Sequence, residues 1–356
     1  MLDSSIILIK MKKIACVIGA RPQFIKHFPL EIALVKSFDV KTIHTGQHFD
    51  ENMSQVFFDE LGIRKPDYHL NLTQSTHAKQ TAEMLALIEG ILITEQIELM
   101  LVYGDTNSTL AGALAAAKLN IPIIHVEAGL RSYNRAMPEE VNRVLTDHVS
   151  SHLFCSSELG AMNLKKEGIS DGVNICGDLM KDALFALKDR LINPRDYPFQ
   201  LATLHRPYNT DDVDRLKYIL RTLNKVNDRV IFPIHPRTRK ILEREKFDFS
   251  EVPNIEFIAP VGYIEMLSLL KFCNRMITDS GGVQKEAYWT GKQCITVRSE
   301  TEWVETLEGG WNTLIFEELD RIIDLPAPDP SQYHSNLYGG GKAAEDIVAC
   351  LVEAYG

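Results

Sequence analysis

The chain has 356 residues, 45% hydrophobic and 24% charged, and its 38 Lys and Arg against 48 Asp and Glu leave a net charge of −10. At about 150 residues per domain this length suggests two domains, and the ordinary apolar share excludes collagen-like and disordered chains. The acidic balance argues against a dedicated nucleic-acid binder, which carries a basic face.

Residues 1–10 read as an extension of unknown value. Their apolar run at 6–9 is too short for a signal peptide and lacks a cationic flank, and Met11-Lys12-Lys13 resembles a second start. From residue 14, short apolar runs alternate with segments at helical spacing. Strands are expected at 14–19, 40–44, 99–103, 121–126 and 152–155, and helices at 23–36, 52–61, 78–95 and 108–118. The pattern then restarts, with strands at 200–204, 229–233, 255–258, 275–278 and 293–297 and helices at 211–227, 264–272 and 283–290. Continuous apolar strands between helices imply a parallel sheet covered on both faces. Two such series imply an α/β chain of two Rossmann-like, doubly wound domains facing a central cleft. A connecting helix at 179–191 and the turn Asn193-Pro194-Arg195-Asp196 mark the boundary. The domains are placed at 1–178 plus 342–356 and at 179–341.

No stretch reaches the roughly 18–20 apolar residues of a membrane span. Six scattered cysteines (Cys16, Cys155, Cys176, Cys273, Cys294, Cys350) form no C-x-x-C pair, so zinc and redox motifs lack support. Such thiols suit a reducing cytoplasm, as small buried hydrophobes.

In open α/β sheets ligands bind beyond the carboxyl ends of the strands, so the residues after each strand are the informative ones. Gly19-Ala20-Arg21-Pro22-Gln23-Phe24-Ile25-Lys26 is not G-x-G-x-x-G and gives no nicotinamide site. A glycine turn with Arg21 at a helix mouth and Lys26 beyond suits an anion; an ordinary turn with solvated cations is equally open. Asp105, after 99–103, is either a helix N-cap or a site acid. Glu127 ends a buried apolar run and needs a partner or a task, because burying an unpaired charge is costly. Glu139 follows Pro138 in the first turn of a helix, where dipole complementarity alone accounts for it. Together, Asp105, Glu127 and Glu139 can converge on one crevice. In the second series His205-Arg206 and His235-Pro236-Arg237 each follow a strand. Asp279-Ser280-Gly281-Gly282 runs from a strand into a helix whose N–H groups suit a pyrophosphate. Glu286, one turn on, is positioned to accept from ribose hydroxyls. No cluster demands a metal, and no cofactor is called for.

Seven segments in order, GARPQFIK (19–26), TGQH (45–48), GDTNST (104–109), HVEAGLR (125–131), PEEVNR (138–143), DSGGVQKE (279–286) and NLYGGG (336–341), resemble the bacterial UDP-N-acetylglucosamine 2-epimerase family from residue 11 to the end. GARPQFIK and Thr301-Glu302-Trp303-Val304-Glu305 resemble the branch acting on UDP-2,3-diacetamido-2,3-dideoxyglucuronate, a surface-polysaccharide precursor. The resemblance implies a glycosyltransferase-B-like fold with UDP held by the C-terminal domain, a UDP-sugar substrate and a homodimer, while charge and hydropathy point to no nucleic-acid or membrane partner. It implies Asp105, Glu127 and Glu139 as catalytic acids and His205 as an active-site histidine. Arg21, Lys26 and Arg143 are then phosphate or substrate contacts, and Ser280, Gly281, Gly282 and Glu286 the UDP site. The chain departs from the family at Tyr208, where an acid is common, and at Trp303-Val304-Glu305, where Arg-Pro-Glu is the commoner form. After Asn71 it lacks an arginine that helps bind an activating substrate molecule in some members, although Gln47 and His48 remain. The implied reaction eliminates UDP to a glycal and adds it back on the other face. A hydrolysing relative releasing N-acetylmannosamine, a glycosyltransferase on the same fold and a sugar-nucleotide-binding protein are the competing readings.

Overall fold

The computed structural model describes residues 11–47 and 58–356. Residues 1–10, His48 and most of the helix expected at 52–61 lie outside the described residues. Two compact units result, one of Met1–Ala183 with Tyr338–Gly356 and the other of Leu184–Leu337.

The first unit carries a seven-stranded sheet of β1 (Lys13–Ile18), β2 (Asp39–His44), β3 (Tyr68–His69), β4 (Leu99–Tyr103), β5 (Ile123–Val126), β6 (His152–Cys155) and β7 (Val173–Ile175). Its order is β3-β2-β1-β4-β5-β6-β7, and every described pair is parallel. The helices between are α1 (Arg21–Leu34), α2 (His77–Glu95), α3 (Asn107–Lys118), α4 (Pro138–Val149) and α5 (Glu158–Lys166), and α6 (Leu179–Leu187) follows β7 and spans the boundary at Ala183. β1 and β4 are fully apolar inside because helices cover both faces. The small residues of α3 let it lie close to the sheet. A Cβ on Gly112 would sit 3.1 Å from both Val17 and Val102 methyl carbons, closer than side chains tolerate without moving.

The second unit holds β8 (Phe199–Thr203), β9 (Arg229–Pro233), β10 (Ile255–Ile258), β11 (Arg275–Thr278), β12 (Gln293–Thr296) and β13 (Asn312–Leu314), in the parallel order β10-β9-β8-β11-β12-β13. Its helices are α7 (Pro207–Thr210), α8 (Val213–Leu223), α9 (Pro236–Arg244), α10 (Tyr263–Phe272) and α11 (Gly281–Trp289). Successive residues of β8 feed opposite cores: Leu201 packs with Ile231, Leu269 and Met276, and Ala202 with Leu216, Val230 and Ile277. That is the period-two alternation of a strand covered on both sides.

The last helix, α12 (Ala343–Tyr355), returns to the first unit. Asp182 on α6 ties it there by accepting the Ala343 and Ala344 N–H groups at 3.2 and 2.7 Å. Burial holds the Asp182 carboxyl up at about 6, against the pull of those hydrogen bonds. Lys181 reaches the Gly339 carbonyl at 2.5 Å. No described helix is long and apolar enough to cross a membrane.

Candidate active site

In each unit the connections run one way from a central strand and then the other, so the strand order reverses between two neighbours. In the first unit those neighbours are β1 and β4, and in the second β8 and β11. Crevices at the carboxyl ends of such strands are where doubly wound sheets bind ligands. The four turns that follow them carry most of the residues expected from the sequence.

In the first unit α1 begins at Arg21, which is exposed, and one turn later places Lys26 in the interior. Lys26 Nζ forms an ion pair with Glu127 Oε2, both side chains nearly buried. Glu127 follows β5 in the left-handed region, at φ 67°. A bulky residue holds that conformation only where its surroundings over-determine it, as functional sites do. The Glu127 and Ala128 N–H groups are pinned on the Phe154 carbonyl at 3.0 Å. Gly104, also left-handed at φ 61°, leaves the room: a Cβ there would lie 3.3 Å from Glu127 Oε2.

Asp105 pairs with Arg143 of α4. It is not the N-cap of α3; Thr106 is, accepting from the Thr109 N–H at 3.3 Å. Capping therefore leaves the Asp105 carboxylate to the crevice. Glu139 lies partly buried in the first turn of α4, and its side chain enters no ion pair among the described residues. Its neighbour Glu140 does the structural work, accepting Ser132 N–H, Ser132 Oγ and Tyr133 N–H, each at 2.9 Å, and Arg143 Nη1 at 3.3 Å.

Behind these turns runs a buried polar chain. Both ring nitrogens of His125 face oxygen acceptors at 2.7 Å, Asp147 Oδ1 and the Gly104 carbonyl. Asp147 also takes Arg131, which forks onto Glu167 through two 2.7 Å bonds. Burial alone would raise the Asp147 carboxyl; His125 and Arg131 outweigh it and hold it below the usual range.

In the second unit Ser280 is the N-cap of α11, and its N–H donates to Thr278 Oγ1 at 3.0 Å. Gly281 and Gly282 open that helix, partly exposed. A Cβ at Gly281 would find Trp303 Nε1 at 3.6 Å and Arg298 Nη1 at 3.7 Å, so two nitrogen donors flank the helix mouth. Arg298 is held by Glu302 through two bonds of 3.2 and 3.1 Å. Glu286 is 2% exposed, and its Oε1 accepts the Tyr263 hydroxyl at 2.7 Å. His205 stays half exposed, with Nδ1 3.1 Å from Asp279 Oδ1.

Two residues emerge that the strand-end reading passed over, and they play matching parts. Gln23 on α1 joins the turns after β1 and β4. Asp279 joins the turns after β11 and β8: fully buried, it accepts the His205 and Arg206 N–H groups at 3.0–3.1 Å and Asn209 Nδ2 at 3.0 Å. Burial works against its charge, but His205, Asn209 and Arg206 keep its carboxyl below the usual range. The signal for Asp279 was present, since it too ends a buried strand, as Glu127 does. No group of three or more His, Cys, Asp or Glu is placed to hold a metal among the described residues.

The family model described as UDP-N-acetylglucosamine 2-epimerase matches residues 31–352. A UDP-2,3-diacetamido-2,3-dideoxy-D-glucuronate 2-epimerase of Pseudomonas aeruginosa is 46% identical over 357 residues, covering 96% of this chain and 99% of the relative. A UDP-N-acetylglucosamine 2-epimerase of Methanocaldococcus jannaschii is 42% identical over 360 residues, covering 95% and 98%. A crystal structure of the Methanocaldococcus jannaschii UDP-GlcNAc 2-epimerase in complex with UDP-GlcNAc and UDP superposes with a TM-score of 0.84 at 40% identity, over 96% of this chain and 99% of that one.

Proposed function

The chain belongs to the UDP-N-acetylglucosamine 2-epimerase family and is an isomerase, and we propose that it inverts C2 of UDP-2,3-diacetamido-2,3-dideoxyglucuronate without hydrolysing it. Relatives named for either sugar are 46% identical, and it is the segments GARPQFIK and Thr301-Glu302-Trp303-Val304-Glu305, which resemble the diacetamido-uronate branch, that support this choice over UDP-N-acetylglucosamine.

No carbonyl adjoins C2 of such a sugar, so a C2 carbanion has nothing to stabilise it. Elimination avoids the problem. The C1–O bond breaks with its electron pair leaving on UDP, and the C2 proton passes to a base, giving a glycal. Re-addition of UDP to C1, with a proton delivered to the opposite face of C2, gives the epimer. Two faces need more than one proton-handling group. We assign these to Asp105, Glu127 and Glu139, and the observation carrying the assignment is the pair of ion pairs, Lys26–Glu127 and Arg143–Asp105, at the turning point of the first sheet. Each cation holds its carboxylate in a fixed direction. In the second unit, His205 and the α11 mouth at Ser280, Gly281 and Gly282 stabilise the departing diphosphate, and Glu286 binds the ribose. Arg21 adds a phosphate contact. We further place the enzyme in the cytoplasm as a homodimer feeding surface-polysaccharide synthesis; its family and its free thiols support this.

The test is product analysis by anion-exchange chromatography of each UDP-sugar incubated with enzyme. Conversion of the diacetamido-uronate to its 2-epimer, with a kcat/KM above that for UDP-N-acetylglucosamine, is expected. The reverse preference would reassign the substrate.

A further inference from the structure

We propose that Gln23 is a positioning residue for the epimerisation: one carboxamide sets the spacing between the two ion pairs of the first unit. The proposal rests on the function given above. Gln23 is 2% exposed and uses both ends of its amide. Its Oε1 accepts the Gly19 and Ala20 N–H groups at 2.7 and 3.0 Å, at the end of β1. Its Nε2 lies 2.9 Å from the Tyr103 carbonyl, 3.0 Å from Thr106 Oγ1 and 3.1 Å from Thr109 Oγ1, at the end of β4. The first set belongs to the turn that launches Arg21 and Lys26. The second belongs to the turn that launches Gly104 and Asp105.

A carboxamide meets both sets, with an acceptor for the two N–H groups and a donor for the Tyr103 carbonyl. A carboxylate satisfies the two N–H donors but turns a second acceptor toward the Tyr103 carbonyl. A hydrocarbon satisfies neither and leaves buried polar groups without partners, which costs more than a single hydrogen bond gains. α1 itself needs the contact, since Ala20 has no side-chain oxygen to cap it and Gln23 at the third helical position closes on the Ala20 N–H instead. Lys26, one turn further on, reaches Glu127 from the helix that Gln23 anchors. Asp105 lies two residues beyond the carbonyl it holds. A slip between these turns would move the Lys26–Glu127 pair against the Asp105–Arg143 pair while leaving both intact. Asp279 performs the corresponding service in the second unit as a carboxylate, because there every group it meets is a donor.

The experiment compares wild type, Gln23→Glu and Gln23→Asn, in the full chain, as turnover per folded molecule across pH 5.5–9. Burial and the Tyr103 carbonyl favour the protonated form of the introduced carboxyl, against the pull of the Gly19 and Ala20 N–H groups, and that form regains an O–H donor for Tyr103. The neighbouring ionisable groups, Arg21, Lys26 and His27 on α1, Tyr103 at the end of β4, Asp105 beyond it and Glu127 after β5, are present in all three proteins, so a pH dependence confined to Gln23→Glu belongs to the introduced carboxyl. A misplacement of this kind costs roughly 10- to 100-fold in kcat. We expect such a loss for Gln23→Glu at high pH, recovering as pH falls, with KM little changed. Gln23→Asn, one methylene too short to span the turns, should show a loss that does not recover. A merely structural glutamine would lower the melting temperature and leave kcat of the folded fraction unaltered at every pH. That result, with an active wild type, would overturn the positioning role alone; a wild type that forms no 2-epimer would overturn it together with the proposed function.

Discussion

Replacing Glu127 by Gln or Asp105 by Asn keeps the shape of each side chain and removes one charge from a nearly buried pair in the first case and a partly buried pair in the second. Loss of a placed acid or base costs about 100- to 10,000-fold in turnover, and that loss is expected for each variant with UDP affinity retained. A lower melting temperature should accompany it, because Lys26 and Arg143 lose a counter-charge. Steady-state kinetics on folded protein checks this, and near-normal turnover in both variants would remove them from the reaction. Glu286 is a sharper case, since the structure buries it against Tyr263. Glu286→Ala should weaken UDP binding roughly tenfold or more and also destabilise the fold, by leaving a hydroxyl without its acceptor. Tyr263→Phe should destabilise yet leave UDP affinity nearly intact, so paired calorimetric titrations separate ribose recognition from packing. Asp105 and Glu127 could be singled out from the sequence because a carboxylate following a buried apolar strand is costly without a partner or a task. Gln23 was not, because a neutral amide in a first helical turn announces nothing until its five partners are known.

Elements were legible where they were buried. The expected strands at 99–103, 152–155, 229–233, 255–258 and 275–278 coincide with β4, β6, β9, β10 and β11. β1 and β8 are shifted by one residue, β2 and β12 differ by one residue at one end, and β5 begins at Ile123 because Pro122 has no N–H to give a ladder. The unforeseen strands β3, β7 and β13 are sheet edges of two or three residues, too short for any periodicity to register. The mostly polar α9, with sequence PRTRKILER, was missed for want of an apolar stripe. At this scale Asp182, which holds α12, gives a pH signature. Its carboxyl stands near 6 in the fold against an ordinary 3.8. Between those values the folded state keeps a proton the unfolded state has lost, so stability falls as pH rises from about 4 to 6. Asp182→Asn removes that proton. The stability difference between wild type and variant, from urea titrations at successive pH values, should therefore shift against wild type across that window. A difference that stays constant would show that Asp182 does not titrate there.

The restart of the strand–helix series made the two-unit architecture readable, because each series repeats the same local rules. Strand order was not readable in that way. It depends on which crossovers return beside β1 and β8, a long-range choice governed by handedness and packing rather than by any residue. Once that order is known, the motifs after β1, β4, β8 and β11 cease to be separate turns and become two pairs of neighbours, each bridged by one buried side chain. In the proposed reaction these pairs eliminate and return UDP. Held UDP makes recombination effectively unimolecular, so the glycal is recaptured rather than lost. Proton NMR of the reaction in heavy water tests this directly: deuterium is expected at C2 of both the 2-epimeric UDP-sugar and the recovered substrate. Free reducing sugar with stoichiometric UDP, and no 2-epimeric UDP-sugar, would contradict it.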